Sequence, residues 1–298
     1  MIVGVIGTGV MGKNHVRVYS DLKGVDEVYT YDVSKETIPG TTKCNDLSQL
    51  LKYVDAVSIC VPTDLHWNIV SQVIVANVDC LIEKPICATV NQAINLPDKR
   101  DLIVGVGHIE RFNPVVAELD RIMKKPLYIS FRRHNPTSHR ITSTSVVMDL
   151  MIHDVDIVQN VMFDNNLQDI SAIGSDDVVG VLCRFGPTPI YLSASRKASK
   201  KVRKIYVEEE EFTIEGDLMS QEVYVYYKPE DYSFADKRYI QENIVEKITI
   251  GKLEPLRIEL QTFLQCVKTR VPFPVSVDQA TKNLITCENI VRRIHGPN

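Results

Sequence analysis

The first twelve residues, MIVGVIGTGVMG, constrain the fold more than any other stretch of the chain. An apolar run over residues 2–6 stops at Gly7-Thr8-Gly9-Val10-Met11-Gly12 and gives way to a helix-compatible segment through Tyr19. Buried strand, glycine turn and helix N-terminus, in that order, form the cradle of a dinucleotide pyrophosphate. Gly7 allows the sharp exit from the strand, Gly9 lacks the Cβ that would block the phosphates, and Gly12 lets the helix lie close. The first free N–H groups of the helix then face the phosphates with the helix dipole behind them, so Thr8, Val10 and Met11 join the glycines as expected cofactor contacts. The next apolar strand ends at Asp32, about 25 residues past Gly7. A carboxylate there accepts the ribose hydroxyls and repels a 2′-phosphate, which favours NAD over NADP. Lys35 nearby would soften that choice.

Residues 1 to about 107 alternate short apolar strands, over 2–6, 27–31, 56–60, 79–82 and 102–106, with helical patterns near 13–21, 47–51, 64–76 and 90–96. Strands joined by crossover helices imply a doubly wound parallel sheet, a Rossmann arrangement of class α/β. Ligands of such sheets bind beyond the carboxyl ends of the strands, so the residues just after each strand carry the information. After the third strand, Val61-Pro62-Thr63 is expected against the cofactor, with Thr63 or Asp64 capping the next helix. His66 reads as a residue of that helix's surface, and as a cofactor contact if it faces the turn. After the fourth strand comes Glu83-Lys84-Pro85. Pro85 biases Lys84 away from helical geometry, which lets the ammonium project towards a bound cofactor. After the fifth, the period changes, and Asn113-Pro114 marks the domain junction. The expected division is 1–113, a nucleotide-binding domain, and 114–298, a substrate-binding and oligomerisation domain. Arg111 and Asn113 at the junction are candidates for substrate hydroxyls, or simply an ion pair and an Asn-Pro turn.

The second half changes character. A helix over 115–123 leads to a strand over 127–133, and a polar, aperiodic segment over 134–145 reads as a loop. Residues 146–158 carry apolar side chains at helical spacing, with Asp149 and His153 four apart on one face. Period-two strands follow over 170–173, 178–185, 190–195, 202–207, 212–215, 221–227 and 244–248. Strands in succession without helices predict a large, mostly antiparallel sheet. Helices over 255–267 and 277–294 close the chain. The basic run 196–204 and the acidic run 208–211 read as a solvated hairpin with compensating charge. The basic run lacks interleaved aromatics, which argues against a nucleic-acid platform.

Composition narrows the class of partner. The net charge of −4 over 298 residues gives no global attraction to nucleic acid or anionic membrane, and no apolar run is long enough to span a bilayer. The nucleotide loop begins almost at Met1, so no signal peptide is expected. Seven scattered cysteines without a C-x-x-C pair suit reduced, buried thiols in a cytoplasmic protein, and no metal centre is expected.

With these residues assembled, the chain resembles the Gfo/Idh/MocA oxidoreductase family over nearly its whole length. The motifs that carry the resemblance are G-x-G-x-x-G at Gly7–Gly12, E-K-P at Glu83–Pro85 and D-x-x-x-H at Asp149–His153. The runs from Gly107 to Pro114 and from His153 to Asp156 are similar to a subgroup, the UDP-N-acetylglucosamine 3-dehydrogenases. The resemblance implies a Rossmann domain and an α/β domain with an open sheet that forms a homodimer or homotetramer face. It also implies NAD(P)-dependent chemistry at a sugar carbon. It makes Lys84, Asp149 and His153 the catalytic residues, in contact with substrate. His153 is the expected base, Asp149 orients its ring, and Lys84 shares the proton or stabilises the alkoxide; the roles of His153 and Lys84 are exchangeable. The expected substrate is UDP-N-acetylglucosamine, oxidised at C3. A free sugar or inositol is the alternative within the class, and a non-catalytic NAD-sensing regulator the alternative outside it.

Overall fold

A computed structural model describes the chain except residues 35, 98–100, 137–143, 164–166, 230–231, 236–237, 242–243 and 297–298. The basic neighbour Lys35 and most of the expected loop over 134–145 therefore lie outside the described residues.

The chain opens with β1 (Ile2–Ile6), α1 (Val10–Asp21), β2 (Glu27–Tyr31), β3 (Thr42–Lys43), α2 (Leu47–Leu51), β4 (Ala56–Ile59), α3 (His66–Val75), β5 (Asp79–Glu83), α4 (Val90–Ile94) and β6 (Val104–Gly107). The six strands form one parallel sheet in the order β3-β2-β1-β4-β5-β6. Every residue of β4 and β5 is buried, the pattern of strands covered on both faces. The order reverses between β1 and β4, so the crevice of a doubly wound sheet falls at the carboxyl ends of these two strands. The two-residue β3 had no apolar run to announce it.

The chain continues through α5 (Pro114–Ile122), β7 (Tyr128–His134) and α6 (Ile152–Ile157), which is flanked by π-helical turns at Val147–Met151 and Val158–Met162. Then come β8 (Leu167–Gly174), β9 (Val178–Phe185), β10 (Thr188–Ser195), β11 (Val202–Glu208), β12 (Phe212–Asp217), β13 (Glu222–Tyr227), β14 (Tyr232–Ala235), β15 (Arg238–Gln241) and β16 (Val245–Ile248), followed by the helices α7 (Pro255–Thr269) and α8 (Val277–His295). The second sheet has eight strands in the order β16-β13-β12-β11-β7-β10-β9-β8, and only its β7–β10 pair is parallel. The hairpin β14–β15 stands apart and was not read from the sequence. Side chains alternate along these strands. One face, with Ile129, Phe131, Val181, Leu192, Ile205 and Ile214, is buried against α5 and the helix that contains α6. A methyl on Gly216 would stand 2.8 Å from Val115, which shows how closely α5 lies on β12. The opposite face leaves Leu182 and Tyr191 exposed.

The chain divides into two compact units, residues 1–112 with 254–285 and residues 113–253 with 286–298. The expected junction at 113/114 assigned both final helices to the second domain. Instead α7 and the first part of α8 belong to the first unit. The reason is visible in its packing. Arg270, at the end of α7, reaches the buried Asp79 at 2.8 Å, Arg257 pairs with Asp21, and a Cβ on Gly105 would stand 2.4 Å from the Phe273 ring.

Part of each charge run has a partner outside the opposite run. Arg196 is buried and pairs with Asp177, as does Lys197. Glu209 is buried because it accepts the backbone N–H groups of Lys124 and Lys125 at 2.6 and 2.9 Å. All seven cysteines are free thiols. No helix among the described residues is long and apolar enough to cross a membrane.

Candidate active site

The first unit gathers most of the expected residues at the carboxyl ends of β1, β2, β4 and β5. Gly7 takes a φ of +86°, and a Cβ there would stand 2.8 Å from the Cys60 carbonyl and the Val61 nitrogen. A Cβ on Gly12 would meet the Gly7 carbonyl oxygen at 1.9 Å. A Cβ on Gly9 meets nothing within 4 Å. So Gly7 and Gly12 are demanded by the protein's own backbone, whereas at Gly9 only a ligand gives the missing Cβ a purpose. The helix α1 has Gly9 as its N-cap without a side-chain cap, which leaves its first N–H groups for an anion.

Asp32 does more than await a ribose. Its Oδ2 accepts the Thr8 N–H at 2.6 Å and its Oδ1 the Ser34 N–H at 2.7 Å, so it braces the glycine turn. Burial works to raise its pKa, but these backbone donors outweigh it and hold the carboxyl below its ordinary value. Each oxygen keeps a lone-pair site for a hydroxyl. The open cradle at Gly9, the uncapped helix and this carboxylate together fit an NAD-type dinucleotide.

Past β4, neither Thr63 nor Asp64 caps a helix. Thr63–Leu65 forms a short 3-10 turn closed by the Leu65 N–H on the Pro62 carbonyl, with no side-chain cap there or at α3. His66 is not a surface residue: it is buried, with Nδ1 2.9 Å from the Pro85 carbonyl and Nε2 3.0 Å from that of Val61. The ring is a strut between the turn after β4 and the turn after β5. Burial lowers its pKa, against the pull of the carbonyls.

Past β5, Glu83 is buried and Lys84 is half-buried, with a cis bond to Pro85. Glu83 Oε1 lies 3.0 Å from His15 Nε2, a residue of α1, and its Oε2 accepts the Lys84 N–H at 3.2 Å. Burial opposes ionisation of Glu83, but His15, Lys84 and His66 prevail and hold its carboxyl below the usual range. The backbone that presents Lys84 is thus anchored from beneath by the contact between His15 and Glu83. Cys60 is held as the thiol by burial first and by the charge of Glu83 after it. Arg111 donates to the Pro274 carbonyl at 3.1 Å and to Gln279 at 3.0 Å.

The second unit carries the other candidates. Asn113 is buried as the N-cap of α5: its Oδ1 accepts the Val115 N–H at 3.2 Å and its Nδ2 donates to the Leu218 carbonyl at 3.0 Å. Asp149 lies in the first π turn and is half-buried; His153 follows in α6 and is buried. Beside it, Asp154 makes a fully buried pair with Arg133 of β7, at 2.9 Å from Nε and 2.6 Å from Nη2. Asp156, also buried, accepts from Asn160 at 3.1 Å. The Asp154–Arg133 pair fixes the helix that bears His153 to the sheet.

Sequence reasoning missed His15, Glu259 and the Arg133–Asp154 pair. Two of them left a signal. Glu259 interrupts the apolar stripe Leu256, Leu260, Phe263, Leu264, Val267 of α7, and Asp154 and Asp156 stand inside an otherwise apolar helical run. Charges at such positions are buried only when something holds them.

A parallel sheet with this glycine turn and this strand-end lysine is a dinucleotide-binding Rossmann domain, similar to that of the Gfo/Idh/MocA oxidoreductases. Residues 1–108 match the model described as "Oxidoreductase family, NAD-binding Rossmann fold". Among individual relatives, the chain is 26% identical over 292 residues to a UDP-N-acetylglucosamine 3-dehydrogenase of Acidithiobacillus ferrooxidans, covering 91% of this chain and 90% of that one. The solved structure of that enzyme superposes with a TM-score of 0.86 at 24% identity, over 99% of this chain and 97% of the other. An inositol 2-dehydrogenase of Mycolicibacterium smegmatis is 28% identical over 189 residues, 56% of this chain and 54% of the relative.

Proposed function

We propose that the protein oxidises a secondary hydroxyl of a nucleotide sugar, C3 of UDP-N-acetylglucosamine, to the ketone. The observation that carries the reading is the anchored Glu83-Lys84-Pro85 turn beside the glycine cradle, in a chain related along 91% of its length to an enzyme of that name. NAD, when bound, supplies the hydride acceptor at its nicotinamide C4. The chain supplies the proton chemistry. His153 takes the hydroxyl proton, Asp149 orients the imidazole, and Lys84 stabilises the developing alkoxide by its positive charge. Asp32 favours NAD over NADP by repelling a 2′-phosphate. A homodimer or homotetramer forms through the open face of the second sheet, where Leu182 and Tyr191 offer apolar surface.

The test is incubation with NAD and a panel of UDP-sugars and free sugars, read by mass spectrometry. Loss of two hydrogens from UDP-N-acetylglucosamine supports the reading; an unchanged mass beside turnover of another sugar refutes the substrate. The kinship to an inositol dehydrogenase over 56% of the chain favours, as a second reading, oxidation of a free polyol. Calorimetric titration with UDP separates the two, because an enzyme of free polyols has no site for uridine diphosphate.

A further inference from the structure

Glu259 lies in the interior stripe of α7 and is fully buried. Neither of its carboxyl oxygens has a hydrogen-bond partner among the described residues. The charged group it feels is Glu83, one residue before Lys84. Its ionisable surroundings come from several elements. The helix α1 brings Tyr19, the end of β4 brings Cys60, and β5 brings Glu83, which itself has His15 at 3.0 Å. The turn after β6 and the short helix behind it, against which α7 packs, bring the buried His108 and Glu110.

Two carboxylates enclosed in one apolar setting cannot both hold a charge. Glu83 has His15 at 3.0 Å to hold its charge. Glu259 has no donor, and burial first, then Glu83, push its pKa well above the ordinary value. The two carboxyls therefore divide their roles by environment, one ionised and one neutral.

We propose that Glu259 is a positioning residue of the cofactor site: as an uncharged acid it puts no second charge beside Glu83, which is free to hold the turn that presents Lys84. This builds on the reading of Lys84 as a site residue. When Glu259 ionises, it repels Glu83. The anchor of the Lys84 turn then loosens, and the site weakens towards alkaline pH.

The test uses the whole protein and two readouts. Infrared spectroscopy of the cofactor-free protein should show the C=O stretch of a protonated carboxyl group at pH 7, where ordinary glutamates, with pKa about 4.3, are ionised. The band should vanish on raising the pH and be missing in Glu259→Gln. NADH, whose nicotinamide ring is uncharged, should bind the wild type roughly tenfold more weakly once the band has gone, the loss of one hydrogen bond to a charged group. Glu259→Gln, which imitates the neutral acid, should bind NADH as the wild type does at pH 7 and stay level as the pH rises. Should Glu259→Gln fail to fold, Glu83→Gln gives the answer, because without the Glu83 charge the band must vanish at lower pH. A spectrum without the band at pH 7 overturns the proposal, as does an alkaline weakening that persists in Glu259→Gln or a band unmoved in Glu83→Gln. None of these readouts involves turnover, so an inactive enzyme would refute the dehydrogenase reading and leave this one standing.

Discussion

Replacing Gly9 by alanine separates a ligand's demand from the protein's own. Gly9 has φ −62° and ψ −164°, a backbone conformation open to alanine, and the new methyl meets no protein atom within 4 Å. Folding should therefore be unharmed. The reduced freedom of the unfolded chain adds about 0.4–1 kcal/mol of stability. At about 2–4 °C per kcal/mol for a chain of this size, Tm rises by at most about 4 °C. The methyl does, however, fill the space above the uncapped start of α1, and the pyrophosphate must retreat from the N–H groups there. Losing one hydrogen bond to a charged group costs about 1.5–3 kcal/mol. At 1.4 kcal/mol per decade, NAD should bind roughly 10- to 150-fold more weakly. Calorimetry measures both quantities, Kd by titration and Tm by scanning. Gly12→Ala is the control, since its methyl would stand 1.9 Å from the Gly7 carbonyl oxygen, so stability and binding should fall together. A Gly9→Ala protein that binds NAD with the wild-type Kd, or one that unfolds several degrees earlier, would refute the assignment of the cradle.

His153→Ala should lower kcat by about 10²–10⁴-fold with the Kd for NAD nearly unchanged, the loss of one general base; wild-type turnover would remove His153 from the chemistry. Arg133 and Asp154 are 1% and 2% exposed, so Arg133→Met alone should cost about 3–5 kcal/mol in denaturant unfolding, and Arg133→Met with Asp154→Leu should recover most of it. Asp32 has a pKa held below its ordinary 3.8, so its stabilising effect is present above that value and fades as pH falls beneath it. Wild type should exceed Asp32→Asn in stability at pH 7, and the gap should close below about pH 4; a gap independent of pH would show that the bracing of Thr8 and Ser34 is not ionic.

The first sheet was legible because each of its main strands is a compact apolar run bounded by glycine, proline or a helical pattern. The Gly7–Gly12 segment stood out because a buried strand precedes it and a helix follows, and Glu83-Lys84-Pro85 because it completes the motif set that carries the family resemblance. Contacts between distant residues were not legible. Nothing local shows that Arg270 will find Asp79, so the final helices were assigned by order along the chain and not by the surface they cover. His66 looked exposed because the residues around it, Asp64, Trp67 and Asn68, suit a helix surface, yet its ring is claimed by carbonyls 5 and 19 positions away. Asn113, weighed as a substrate ligand, carries the ordinary signature of a helix start, a capping amide followed by proline at the first turn.

The return of α7 and the front of α8 to the nucleotide-binding unit has a consequence for biosynthesis. Residues 1–112 leave the ribosome first, but Arg257, Glu259, Arg270 and Phe273, which complete their packing, follow only after the whole second sheet has been made. At about 5–20 residues per second, residues 113–285 take on the order of 10–35 s. For that interval the parallel sheet is without Arg270, which neutralises Asp79, and Phe273, which covers Gly105. A nascent chain stalled before residue 254 should accordingly be sensitive to protease in its N-terminal third, and one extended past residue 285 should not.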